Sequence, residues 1–276
     1  SKASTPIEVV DMGLRGFTRK IGILKDYNAN FQCGQCHNAA NRYLTYKWLK
    51  DDKPVRPEDL QKAGVSPYAT EFFKDPLESW AWFKAKGWHQ GVNGTTGVHY
   101  VNGSDHPHVE IMLQSKHGQA GVTCTDCHFA RKADGKAEHQ PSLVKLKVEN
   151  TCMRSACHGP GSKSNWTDPG QALYTIEAIQ QEYRIRVQKM EMAAKDAQRI
   201  FMKLKAGEAS LPQEVKEKLE TAYEKYLSAR DWYLTDLSSG FHDPEGFNRT
   251  VSVVTWELRK TNAAAQGALK KTPVKQ

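Results

Sequence analysis

The sequence has no run of eighteen or more apolar residues. A membrane-spanning helix needs about 20 such residues, so no span is expected in this chain. It also has no run of five or more Lys/Arg, and its 39 basic residues are offset by 31 acidic ones. The net charge of +8 is therefore spread rather than concentrated, which argues against a nucleic-acid footprint. Apolar residues are scarce: 39% of the chain, with mean hydropathy −0.66. For 276 residues, enough for one large domain or two ordinary ones, this is a lean supply of core. Either the core is small, or something apolar that is not protein fills it. No cysteine stands alone. The N-terminal residues "SKASTPIEVVDMG" contain no signal-peptide core, so an exported protein is expected here in processed form.

Six cysteines are present, in three close pairs, each followed at once by histidine. They are "CGQCH" (Cys33, Cys36, His37), "CTDCH" (Cys124, Cys127, His128) and "CMRSACH" (Cys152, Cys157, His158). Zinc ribbons need four soft ligands per metal, which three Cys-Cys-His sets do not provide. Disulfides between such near neighbours would be strained and would leave the histidines unexplained. Cys-x-x-Cys-His is the attachment signature of c-type haem. Two thiols reach the two vinyl groups on one porphyrin edge, and the adjacent imidazole lies beneath the iron as proximal ligand. The third motif has four residues between its cysteines, so its loop must bulge. Three covalently bound haem c groups are thus expected. Their apolar faces substitute for side-chain core, and their propionates offset part of the positive charge. Haem attachment of this kind implies a periplasmic or otherwise extracytoplasmic location, with the signal peptide removed.

The chain divides in character near residue 165. Residues 1–165 are expected to form a trihaem-binding region, with a mixed leader over 1–32 and a long loop-like run, "GVNGTTGVHYVNGSDHPH", at 91–108. Residues 166–276 read as helical, within what is expected to be one continuous domain. Apolar residues recur in steps of three and four from Ile176 through Tyr183, Met190 and Phe201 to Leu204. After a break at "AGEASLP", where Ser210 and Gln213 suit a capping box, a second stripe runs from Val215 to Leu237. Gly240 is expected to end it, and Asp243-Pro244 to open a third, shorter helix. The fold class is therefore mainly α: an irregular haem-packed half, then a long helical hairpin plus a third helix. The stripes serve either internal packing or an oligomer seam.

Seven histidines remain beyond the three proximal ones: His89, His99, His106, His108, His117, His139 and His242. Low-spin haems take a second axial ligand, commonly histidine. His242, alone in the helical half, is placed as such a ligand would be.

Three stretches carry a family resemblance: "QCGQCH" (32–37), "DHPHVEIMLQSKHGQAGVTCTDCH" (105–128) and "SSGFHDPEGFNRTV" (238–251). They resemble the pentahaem ammonia-forming cytochrome c nitrite reductases from the third haem onward. The related octahaem hydroxylamine oxidoreductase group shares that core. The resemblance implies that His117 is the distal ligand of the haem at Cys152/Cys157, and His242 that of the haem at Cys124/Cys127. It implies that His139 serves a haem of another chain, and that Asp105 and His106 match an active-site acid and histidine. The long helices look like that family's dimerising helices.

The departures are equally specific. The catalytic haem with its Cys-x-x-Cys-Lys site, the next haem and the catalytic arginine are missing. Ala40 and Ala39 stand where the family has its active-site tyrosine and a calcium-ligand glutamate. The haem at Cys33/Cys36 inherits no distal ligand, leaving His89, His99, His108 or a second polypeptide. The expected function is electron transfer by a trihaem cytochrome, with other multihaem cytochrome subunits or redox proteins as partners and oligomerisation through the C-terminal helices. The alternative is one part of a split reductase or oxidase of small nitrogen or sulfur oxyanions, its catalytic haem on another chain.

Overall fold

The computed structural model describes residues 7–14, 17–24, 30–34, 37, 49–51, 53–56, 62, 73–101, 106–131, 136–139 and 141–271. Cys36 and Asp105 lie outside the described residues.

The C-terminal half holds three long helices: α6 (Pro169–Lys205), α7 (Gln213–Leu234) and α8 (Pro244–Lys271). Helix α6 has 37 residues, about 55 Å at 1.5 Å per residue. It begins seven residues before the first apolar residue of its stripe. Asp168 is the N-cap, accepting from Gly170 N–H at 2.7 Å, and Pro169 follows at a position where a missing N–H costs nothing. Asp243 caps α8 in the same way, accepting from Gly246 N–H at 3.1 Å, with Pro244 first in the helix.

The arrangement differs from a hairpin with a short addition. Helix α8 has 28 residues against 22 in α7, and it packs along both other helices more extensively than they pack on each other. The two stripes point into this three-helix core. Tyr183, Met190, Ala194, Ala197 and Phe201 of α6 and Leu219, Ala222, Tyr226, Ala229 and Tyr233 of α7 are buried against Phe247, Val251, Val254 and Leu258 of α8. Internal packing therefore consumes the periodic residues. Polar ties set the register: Asn262 donates to the Ala193 carbonyl at 2.8 Å, and Lys225 pairs with Glu257 at 2.9 Å.

Two helix ends depart from expectation. The N-cap of α7 is Pro212, without a side-chain cap, so Ser210 and Gln213 form no capping box. Helix α7 stops at Leu234, and Gly240 sits later, at φ 81° in the turn toward α8. That turn needs glycine for a second reason, because a Cβ on Gly240 would press into the Tyr183 ring at 2.7 Å.

The first half is built from small pieces. Strands β1 (Ile7–Leu14) and β2 (Phe17–Leu24) pair antiparallel where sequence suggested only a leader. Three short strands follow as a second sheet, β3 (Leu49–Lys50) lying between β4 (Lys53–Pro54) and β5 (Trp88–His89). The loop-like run at 91–108 contains a hairpin, β6 (Gly91–Val92) with β7 (His99–Tyr100). The short helices are α1 (Asn30–Gly34), α2 (Pro76–Ala85), α3 (His108–Gln114), α4 (Lys116–Gln119) and α5 (Cys124–His128). Strands β8 (Phe129–Arg131) and β9 (Ala137–His139) and a 3-10 helix at Pro141–Lys147 complete it.

Two contacts among those that dock this half on the helices join named elements. Lys84 of α2 reaches the buried Glu224 of α7 at 2.6 Å, with Trp80 donating to the same carboxylate at 3.3 Å. A small apolar cluster of Val148, Ala172 and Ile176 gathers Cys152, Met153, Trp166 and Phe241 around it, joining the third cysteine motif to the start of α6. Among the described residues, no helix is long and apolar enough to cross a membrane.

Candidate haem sites

The described residues of each cysteine motif are held by local hydrogen bonds. The second motif is the whole of α5, so Cys124, Cys127 and His128 stand at positions i, i+3 and i+4 of one turn and lie on one face. Asp126 pins its start, accepting from the Thr123 N–H and hydroxyl at 2.8 Å each. In the first motif, His37 N–H donates to the Cys33 carbonyl at 2.8 Å, a bond of helical span. The third motif is a turn. His158 N–H bonds back to the Cys152 carbonyl at 3.0 Å, and Cys157 N–H to Arg154 at 2.8 Å. The two extra residues are thereby looped out, and Cys157 and His158 return beside Cys152. Gly159 is required there, since a Cβ would overlap the Met153 carbonyl.

None of the five described cysteines is joined to another in a disulfide. Burial pushes Cys124 up to about 12, with Cys33 beside it adding to the effect. Burial likewise pushes Cys127 up to about 11, reinforced by Cys152. A redox-active dithiol needs the opposite, a thiol stabilised as thiolate. These are sheltered thiols facing one another between successive motifs, Cys33 toward Cys124 and Cys127 toward Cys152. Two ties hold the motifs together: Asn30 accepts from Cys124 N–H at 2.7 Å, and Arg154 pairs with Asp126 at 3.2 Å. A cavity of about 670 Å³ opens beside the third motif, lined by Ala120, Val122, Asp126, Arg154 and Cys157.

The histidines come together in pairs. A transition metal sits about 2 Å from an imidazole nitrogen, so two imidazoles on opposite sides of one metal have ring centres about 6 Å apart. His117 of α4 and His158 have ring centres 5.9 Å apart with planes at 88°. His128 and His242 have centres 6.2 Å apart with planes at 63°. Each pair has supports. His158 Nδ1 contacts Ser164 Oγ at 2.8 Å, and Trp166 stacks on its ring at 4.5 Å. Ser115 Oγ accepts from Gly118 N–H at 3.0 Å and fixes the short helix carrying His117. Beside His242 Nδ1, the Asp236 carboxylate lies 3.2 Å away, its side chain 1% exposed. Burial alone would raise that carboxyl, but His242, Ser238 and Gly240 outweigh it and hold it down to about 2. A buried carboxylate on the far nitrogen is the usual device for orienting a metal-binding imidazole.

Around the first motif, ligand atoms of His37, His106 and His108 lie within 4.8 Å of one another. Burial, then His242, lowers His108 to about 4, which keeps its imidazole neutral. His89 and His99 instead stack on each other at 4.5 Å with planes at 18°, too close for a metal between their faces. His139 lies on β9 in register with Phe129. Sequence reasoning missed Asp236, Trp166, Asn30 and the Arg154–Asp126 tie. Only Asp236, six residues before His242, was within reach of a local reading.

Paired thiols on one face, an adjacent imidazole, a second imidazole about 6 Å off and a neighbouring cavity fit haem c. Fold and site together define a multihaem c-type cytochrome. The model of the cytochrome c552 family matches residues 28–276, and the chain belongs to that family. Cytochrome c-552 of Bacteroides thetaiotaomicron is 28% identical over 138 residues, 46% of this chain and 22% of that protein. The cytochrome c nitrite reductase subunit NrfA of Nitratidesulfovibrio vulgaris is 23% identical over 223 residues, 77% of this chain and 40% of that one. Among solved structures, the cytochrome c nitrite reductase of Desulfovibrio desulfuricans superimposes with a TM-score of 0.58 at 18% identity, over 87% of this chain and 48% of that chain. The likeness in structure is one of fold. The chain spans less than half the length of these relatives.

Proposed function

We propose that the protein is a trihaem cytochrome that passes electrons through three bis-imidazole haems in an extracytoplasmic compartment. The observation that carries this reading is the spacing of His117–His158 and His128–His242, each that of two imidazoles across one metal. When bound, each haem supplies a one-electron change at its iron. The chain's residues do the rest. Cys33/Cys36, Cys124/Cys127 and Cys152/Cys157 would hold the three haems covalently, and His37, His128 and His158 would be the proximal ligands. His117 and His242 would be the second ligands at the third and second motifs. Asp236 would orient His242, and the Arg154–Asp126 pair holds the second and third attachment loops in contact. Other multihaem subunits or redox proteins are the partners. Exposed Ile185 and Met192 on α6 and Val253 and Trp256 on α8 are the surface through which the helices would assemble, since the seam residues are already used.

The test is a haem count per chain, with low-temperature EPR on the same oxidised sample. Three haems, with His117→Ala and His242→Ala each converting one low-spin iron to high-spin, are expected. A count below three, or variants that leave the spin state unchanged, rejects the reading. A second reading, a split reductase with its catalytic iron on another chain, draws support from His106, which is exposed with its backbone in the left-handed region at φ 58°. In that case His106, with Asp105, would face the partner's substrate site, and His139 would ligate a partner haem.

A further inference from the structure

We propose that the charge of Asp236, beyond orienting His242, lowers the reduction potential of the haem held by Cys124, Cys127 and His128, a tuning that the third motif's site lacks. The inference rests on the trihaem reading and adds what sets the redox poise of its second site.

The carboxylate is built into the turn between α7 and α8. Ser238 N–H donates to Oδ1 at 3.0 Å, closing a local turn of the kind aspartate favours. Ser238 Oγ donates to Oδ2 at 2.7 Å, and Gly240 N–H reaches the same oxygen at 3.0 Å. These three donors hold the group as an anion, although its side chain is only 1% exposed. The same serine ties the anion to the histidine, because Ser238 Oγ accepts from His242 N–H at 3.0 Å. Asp236 Oδ1 faces His242 Nδ1 at 3.2 Å. With Nδ1 engaged there, Nε2 is the nitrogen left for a metal.

The His117–His158 pair is supported differently. His158 Nδ1 meets the neutral, exposed hydroxyl of Ser164 at 2.8 Å. Among the described residues, no carboxylate lies within 4 Å of a ring nitrogen of His117 or His158. A buried anion behind an imidazole acts in two ways. Its field favours the oxidation state with more positive charge, and a low-dielectric surrounding screens that field weakly. It also draws on the Nδ1 proton, which makes the ring a stronger donor to a metal. Both effects favour the ferric over the ferrous state, and hydrogen bonding and burial around an axial ligand are levers by which a protein sets a haem potential. A neutral hydroxyl in contact with water exerts neither effect to a comparable extent.

The experiment is a potentiometric titration of the full holo-protein followed by EPR. The second site is identified as the low-spin signal that His242→Ala removes. In Asp236→Asn the ferric-to-ferrous equilibrium of that signal should move about tenfold toward ferrous, an upward shift of about 59 mV for one electron. The third motif's haem should stay where it is. The shift should be the same in low and high salt, because a buried charge is little screened. Ser164→Ala should move the third motif's haem by less. Ser238→Ala keeps the charge and removes one of its donors, so it should move the second site's potential downward, the opposite sign to Asp236→Asn. An unmoved Asp236→Asn, a shift that vanishes in high salt, or an equal shift in Ser164→Ala overturns the proposal. Should Asp236→Asn lose its haem, Ser238→Ala decides: a downward shift supports the proposal, and any other result overturns it. Failure of the trihaem reading is separable. A silent His242→Ala rejects the ligand itself, whereas a His242→Ala that removes one signal, beside an unmoved Asp236→Asn, rejects only the role of the charge.

Discussion

Single side chains in this protein matter mostly through what they hold still. Asp236 shows how. Buried to 1% exposure, it accepts from Ser238 N–H at 3.0 Å on Oδ1, the oxygen that also meets His242 Nδ1 at 3.2 Å, and from Gly240 N–H at 3.0 Å on Oδ2. The backbone bonds fix the carboxylate, and the carboxylate fixes the imidazole. Asp236→Asn keeps the shape and removes the charge. Outer partners of this type are worth about 10- to 100-fold in metal affinity. In the variant, exogenous cyanide should displace the distal ligand of one haem about 10-fold more readily, measured by optical titration, with the haem count unchanged. Equal titrations for the two proteins would mean that Asp236 serves only the turn.

Elements are joined at points where sequence spacing has no say. The turn between α7 and α8 depends on Gly240, both for its positive φ and for the space taken by Tyr183. Alanine there strains the backbone and pushes on the helix core together, so Gly240→Ala should cost about 2 kcal/mol or more in a chemical denaturation series. The same variant should weaken the low-spin signal of the haem proposed between His128 and His242, because His242 is two residues on. The dock of α2 on α7 is an asymmetric ion pair: the Lys84 side chain is 46% exposed and that of Glu224 4%. Removing the lysine strands a buried carboxylate that, among the described residues, keeps Trp80 as a donor. Removing the acid leaves a lysine that water can reach. Lys84→Met should therefore destabilise by about 3 kcal/mol and Glu224→Gln by roughly 1 kcal/mol in thermal unfolding. The reverse order would mean that the pair does not carry the dock.

At the scale of the whole molecule, the two halves differ in what makes them stable. Helices α6, α7 and α8 share a continuous core in which Tyr223, Trp232, Leu219 and Leu258 are buried almost completely. Among the described residues, the cysteine-bearing half consists of strands and helices of ten residues or fewer and buries fewer apolar side chains than the helical half, in keeping with a chain only 39% hydrophobic. Without haem, hydrogen exchange should leave amides of α6–α8 protected while those of residues 106–158 exchange rapidly. Attached haem should protect both. The outer helix faces lead to a second expectation. Trp256 is 60% exposed, with Lys260 over its ring at 4.8 Å, close to exposed Val253. If the protein assembles through these faces, Trp256→Lys should lower its mass in solution by light scattering without lowering its melting temperature.

The residues of one sequence carried the attachment chemistry unaided, because a vinyl-linking pair and its proximal imidazole must be chain neighbours. The helical half was equally plain, since a 3.6-residue period over 37 residues of α6 survives any tertiary context. Its caps were less so. Asp168-Pro169 was overlooked, and Ser210 looked like a cap that Pro212 pre-empts. What only the tertiary structure decided is everything that acts across the chain. It put α8 against both stripes, brought Glu224 to Lys84 across 140 residues, and set His242 beside His128 and His108. Distal imidazoles and the groups that orient them answer to no local spacing. They are chosen by which elements pack together, and packing is a property of the folded whole.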